Sequence, residues 1–75
     1  MGNMQGAVKS KARLAVGSKV VYRKDTFYKG IEGSPEKEDR LTVAGIYQTY
    51  ISLEETPHIR YDVSDFFDYF TQIGD

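Results

Sequence analysis

No cysteine occurs among the 75 residues of this chain, and His58 is its only histidine. A chain this short buries only about 60–65% of its unfolded surface, so it has a few kcal/mol of stability to work with. Small domains commonly add a disulfide, a metal or a second subunit to such a core. The first is excluded here, and so is a zinc site of the Cys/His type. One domain with one core is therefore expected, and pairing with a second copy is the only staple left. The ten aromatic residues, six Tyr and four Phe, are the material from which that core has to be made.

The hydrophobic pattern is that of strands. Lys19–Lys24 (KVVYRK) and His58–Val63 (HIRYDV) carry β-formers, and the second alternates cleanly, with Ile59, Tyr61 and Val63 on one face. Leu41–Leu53 (LTVAGIYQTYISL) is the densest β segment. Leu41 and Val43 share a face, Gly45 marks a bulge or bend, and Ile46, Tyr50 and Leu53 follow as core candidates. A break at Gln48–Thr49 is read either as part of one curling strand or as a hairpin turn. Asp25–Ser34 reads as a long loop, Ser34–Asp39 as a charged connection and Glu54–Pro57 as a turn.

Beyond Val63, Ser64 is placed as an N-cap with Asp65 in the first turn. Phe66, Tyr69, Phe70 and Ile73 then recur at i, i+3, i+4 and i+7, which predicts a helix over 64–73. Phe66 and Phe70 would face the core and leave Phe67 partly exposed. At the other end, 1–13 is expected to be a flexible basic arm, with a short helix over Ala7–Ala15 as the competing reading. The domain proper is then 14–75.

Charge is divided unevenly along the chain. Met1–Lys29 holds seven basic residues against Asp25 alone, whereas Gly30–Asp75 holds three against ten acids. Either the two halves neutralise one another in the fold, or one of them is an interaction surface. On the acidic side, Glu54, Glu55, Asp62, Asp65 and Asp68, with Val63, Phe66 and Phe67, make a candidate protein-binding surface. On the basic side, Lys9, Lys11, Arg13, Lys19, Arg23 and Lys24 make a candidate nucleic-acid surface, with Tyr22 and Tyr28 nearby for stacking. The overall pI of about 5.7 weighs against the second.

Val16–Tyr22, Leu41–Tyr47, Ile51–Leu53 and Ile59–Val63, with a long first loop and a terminal helical turn, resemble an SH3-like small β-barrel. The expected fold class is accordingly mainly β: a single partly open barrel of about four to five strands with a short C-terminal helix. That resemblance implies a fold that hosts peptide binders, nucleic-acid binders and methyl-lysine readers. The chain has no tryptophan, so no groove residues transfer from polyproline-binding SH3 domains. Arg60–Phe67 (RYDVSDFF) is also similar to the short peptide by which replication proteins dock on sliding clamps. Val63, Phe66 and Phe67 match it, and Arg60 stands in place of its leading glutamine.

No nucleophile–base pair, phosphate loop or dinucleotide fingerprint is present, and His58 follows a proline at the start of a strand. The expectation is a non-catalytic binding module with no cofactor and no metal. Its size and composition resemble those of bacteriophage accessory proteins, which implies an inhibitor in the host cytoplasm that docks on a DNA replication or transcription protein as a DNA mimic. No apolar run is long enough to cross a bilayer, and Met1–Leu14, which has lysines but no apolar stretch, is not expected to act as a secretory signal. A homodimer seam is expected at the Phe66–Phe70 helix or at Lys19–Lys24 as an edge strand.

If the basic arm is instead the working surface, deleting Met1–Arg13 abolishes binding to mixed DNA and RNA and leaves the fold intact. A mobility-shift assay at ~50 mM salt, where phosphate contacts are strong, decides the point. No shift by the full chain under those conditions ends that reading.

Overall fold

The computed structural model describes residues 14–73. Lys9, Lys11, Arg13 and the rest of the basic arm lie outside the described residues, as does Asp75. Five antiparallel strands form one sheet: β1 (Lys19–Tyr22), β2 (Arg40–Ile46), β3 (Tyr50–Leu53), β4 (Thr56–Asp62) and β5 (Phe70–Ile73), in the order β4-β3-β2-β1-β5. A 3-10 turn, Tyr28–Gly30, lies in the loop after β1, and α1 (Phe66–Tyr69) is the single short helix, between β4 and β5.

β2 holds the sheet together because its two halves have different partners. Arg40–Thr42 pairs with β1, and Val43–Ile46 pairs with β3. The register slips between Val43 and Gly45, a bulge that bends the strand and increases its twist. Leu41 and Val43 are buried as expected. Leu41–Leu53 is thus two strands joined by a tight turn at 47–49, where Tyr47 N–H donates to Tyr50 O at 2.8 Å. Ile46 and Tyr50 are not core residues; Ile46 ends β2 with 41% of its surface exposed, and Tyr50 is half-buried.

The terminal segment departs most from expectation. Helical spacing holds only from Phe66 to Phe70, whose N–H closes on Phe66 O. Phe70 then turns extended, and Phe70–Ile73 pairs with β1 from Tyr22 back to Lys19. A ten-residue helix has little intrinsic stability, and Thr71 and Ile73 are β-branched. Pairing with β1 satisfies the backbone of both strands and keeps Phe66 and Phe70 inside. It also makes β1 an interior strand, so Lys19–Lys24 is not the sheet edge; β4 and β5 are. The N-cap is Asp65, without a side-chain capping bond, and not Ser64.

The core is aromatic. Phe66 and Phe70 stack at 4.5 Å and 10°, and Phe70 takes the ring of Tyr61 edge-on and that of Tyr22 at a tilt, both at 5.1 Å. Three tyrosines sit in this core because each phenol oxygen finds a partner. Tyr22 donates to Thr26 O at 2.8 Å, Tyr28 accepts Asp62 N–H at 3.1 Å, and Tyr61 shares a proton with Thr56 Oγ1 at 2.7 Å. Tyr22 and Tyr28 are buried, so neither is free to stack on a base.

Removing the central ring should be decisive. Phe66→Ala is expected to cost about 3–5 kcal/mol, most of the stability of a domain this small, and circular dichroism at 25 °C should show a largely unfolded chain. Alkali tests the tyrosines. Burial pushes the Tyr61 phenol up from 10.0 to about 12, more than the bond with Thr56 lowers it. Burial also raises Tyr22 and Tyr28. The folded state therefore holds these protons more tightly than the unfolded one. The stabilisation is complete below pH 10 and is lost as pH rises toward 12. Discounted for solvent screening, the expected loss from Tyr61 is on the order of 1–2 kcal/mol, seen as alkaline unfolding that coincides with the rise of phenolate absorbance.

Candidate functional site

The residues proposed for an acidic surface divide between two ends of β4. Glu54 and Glu55 lie in the β3–β4 turn, whereas Asp62 ends β4 and Asp65 and Asp68 follow it. At about 3.3 Å per residue the two sets are on the order of 20 Å apart along β4. They do not form one face.

Several of these carboxylates already have partners. Glu55 accepts Thr42 N–H at 2.8 Å and the Thr42 hydroxyl at 3.1 Å. Burial pushes its carboxyl up, but the Thr42 bonds outweigh that and hold it below the usual value. Lys19, from the basic half, donates to the same Thr42 Oγ1 at 2.7 Å. Arg23 meets Glu38 at 3.5 Å. Lys24 lies over the Tyr69 ring, 6.0 Å from its centroid. Lys29 donates to Asp62 at 2.5 Å and lies 3.4 Å from Asp65, and the bond to Asp62 foremost holds its ammonium protonated well above the usual lysine range. Among the described residues, Arg23 and Lys29 of the basic half thus pair with acids of the other half.

An apolar groove of about 260 Å³ opens where the inner side of the sheet reaches the surface, lined by Leu14, Ile46, Ile51, Val63 and Phe67. Buried Ile51 forms its floor. Ile46 and Val63, each 41% exposed, stand at its mouth. Val63 N–H donates to Thr49 O at 3.1 Å, tying the turn after β4 to the β2–β3 turn and setting the groove's width. Phe67 is half-buried, its ring edge-on to Phe66 at 5.2 Å. Phe66 itself is fully buried, so a clamp-type peptide in which Phe66 and Phe67 both insert into a partner cannot form without unfolding the core.

Of the proposed docking residues, the structure therefore brings together Val63 and Phe67 and withdraws Phe66. Leu14 and Ile46 complete the groove and were not anticipated. Ile46 is indistinguishable from a core residue in a β-dense segment until the turn at 47–49 is known. A second cavity of about 300 Å³ lies between the limbs of the long loop, lined by Asp25, Thr26, Phe27, Pro35, Glu36 and Lys37.

Among the described residues no three His, Cys, Asp or Glu side chains converge as a metal site, and no helix is long and apolar enough to cross a membrane. His58 is exposed on β4, and its ring covers Gly33 of the long loop. Comparison with known protein families, curated proteins and solved structures finds no match.

The loop's seat on β4 can be tested at Gly33. Its φ is +86°, and a Cβ there would lie 2.8 Å from His58 Nε2. Gly33→Ala is expected to cost about 1–2 kcal/mol in urea denaturation from the left-handed backbone alone. Adding His58→Ala should recover only the part that comes from the collision.

Proposed function

We propose that this chain is a non-catalytic binding module that docks on a protein partner through the groove of Leu14, Ile46, Ile51, Val63 and Phe67. The observation that carries this reading is the exposure of Ile46 and Val63 at the mouth of a groove continuous with the core. Such a site suits one large apolar side chain, the usual anchor of a protein interface. The strand order, the strand shared by both halves of the sheet and the helical turn before β5 support an SH3-like, partly open barrel as the scaffold.

The placement of the acids argues against a DNA mimic. A mimic presents one continuous row of free carboxylates, whereas here two sets lie at opposite ends of a strand and Lys29 holds two members of one set. A DNA-handling partner stays within the proposal, reached by apolar contact. Two copies joined groove to groove are the rival occupant, and light scattering separates that case.

Ile46→Asp and Val63→Asp should each abolish capture of a partner from host lysate, and neither should shift the melting temperature by more than a few degrees, since both side chains face solvent. Glu54→Lys should leave capture unchanged. Because docking is apolar, capture should survive ~0.5 M salt, at which surface charge pairs are screened. Capture that persists in both groove variants and is lost in Glu54→Lys would move the function to the acidic turn.

A further inference from the structure

On the outer side of the sheet, away from the groove, three residues from β3, β4 and the turn between β2 and β3 form a stack. The rings of Tyr47 and Tyr50 lie 4.6 Å apart at 24°, and the Arg60 guanidinium lies 4.7 Å from the Tyr50 centroid. Tyr47 ends the stack with 51% of its surface exposed.

The stack has a built seat. A Cβ at Gly45 would lie 2.6 Å from the Tyr47 phenol oxygen and 2.7–2.8 Å from two of its ring carbons. Gly45 is not among the residues with positive φ, so its backbone does not require glycine. Glycine inside a strand sacrifices stability and frequently marks the close approach of another group. Here the approaching group is an exposed aromatic ring. Arg60 makes no ion pair or side-chain hydrogen bond among the described residues. Asp62, which shares its face of β4, is taken by Lys29.

We propose that Tyr47, Tyr50 and Arg60 form a contact site for single-stranded nucleic acid. A base stacks on Tyr47, the end of the column, and Arg60, on the far side of Tyr50, takes a phosphate farther along the strand. An exposed flat ring in one column with a guanidinium that has no acid partner among the described residues suits a run of nucleotides, since every base has a π-face and guanidinium binds phosphate in a fork. A single strand is required because a duplex keeps its bases stacked on each other. This site replaces Tyr22 and Tyr28, which are buried, and is independent of the docking groove.

Charge sets the form of the test. Residues 14–73 hold seven basic side chains against ten acids, so no long-range attraction draws in a polyanion and stacking has to carry the contact. One phosphate contact gives a shallow salt dependence, with a slope of about −0.7 in log K against log salt. Binding through the basic residues of 1–13 would give a slope several times steeper.

The full chain is titrated with deca-thymidylate, following amide shifts by NMR between ~20 and ~200 mM salt. Shifts should centre on Tyr47, Tyr50 and Arg60. Tyr47→Ala and Arg60→Ala should each weaken binding about five-fold or more, as loss of a stacked base does, and Tyr47→Phe should retain it. Gly45→Ala should weaken it with Tyr47 still present, and Val63→Asp, a groove variant, should bind like the parent. The inference is overturned by no shift at the lowest salt, by undiminished affinity in Tyr47→Ala, or by a steep salt slope that disappears on deleting 1–13.

Discussion

Phe70 is the residue on which the architecture turns. It closes the last hydrogen bond of α1, begins β5, stacks on Phe66 and meets the rings of Tyr61 from β4 and Tyr22 from β1. Those contacts join the helical turn to strands from both halves of a bent sheet. In a chain without disulfide or metal, cohesion has to come from a few large rings that each touch several others. That requirement explains why the final segment abandons helix at Phe70. A continuing helix would keep Phe66 and Phe70 inside but leave β1 with an unpaired edge beside the core.

Tyrosine in place of phenylalanine adds a second function to these rings. Tyr28 belongs to a seventeen-residue connection between β1 and β2 (23–39) that has no strand of its own, and loops of that length need a local anchor. Its ring packs on Tyr61 and Tyr69, both at 4.8 Å, and its hydroxyl accepts the Asp62 N–H. The next residue, Lys29, is held at φ +45°, a conformation that costs a non-glycine residue of order 1 kcal/mol. Its ammonium reaches Asp62 and Asp65 from that position. The loop is thus fastened to the end of β4 by an apolar ring, a neutral hydrogen bond and an ion pair within two residues.

The strands were legible because their signal is local: alternation at Ile59 and Tyr61, β-branched density around Val43, a glycine at the bulge. What sequence alone did not yield depended on partners far away in the chain. Phe70–Ile73 fits a helical stripe as well as a strand, and only β1, some fifty residues earlier, decides between them. Tyr28 carries no periodicity that marks it as core. The charge asymmetry was plain, but its outcome was not, because it rests on Lys19 and Glu55 both reaching Thr42 and on Lys29 reaching Asp62. Val63 and Phe67 stood out as aromatic-segment residues, whereas Leu14 and Ile46 join them only through the fold.

These fastenings bear directly on the docking groove. Val63 and Phe67 bracket the turn that carries Asp65, and Tyr28 and Lys29 hold that turn at Asp62, where β4 ends, and at Asp65. The other side of the groove is set by the bond from Val63 N–H to Thr49 O, in the same β2–β3 turn that presents Tyr47. One wall therefore takes its position from the long loop and the other from the β2–β3 turn, and the two turns share a hydrogen bond. The groove and the tyrosine stack lie on opposite sides of the sheet but depend on the same few backbone contacts. A change that loosens the loop at Lys29 should reach the groove first, because Val63 lies one residue from the ion pair. It should reach Tyr47 one step later, through Thr49 or through Tyr50, which pairs with Asp62 and stacks on Tyr47. That order follows from the connectivity of the contacts and not from distance alone.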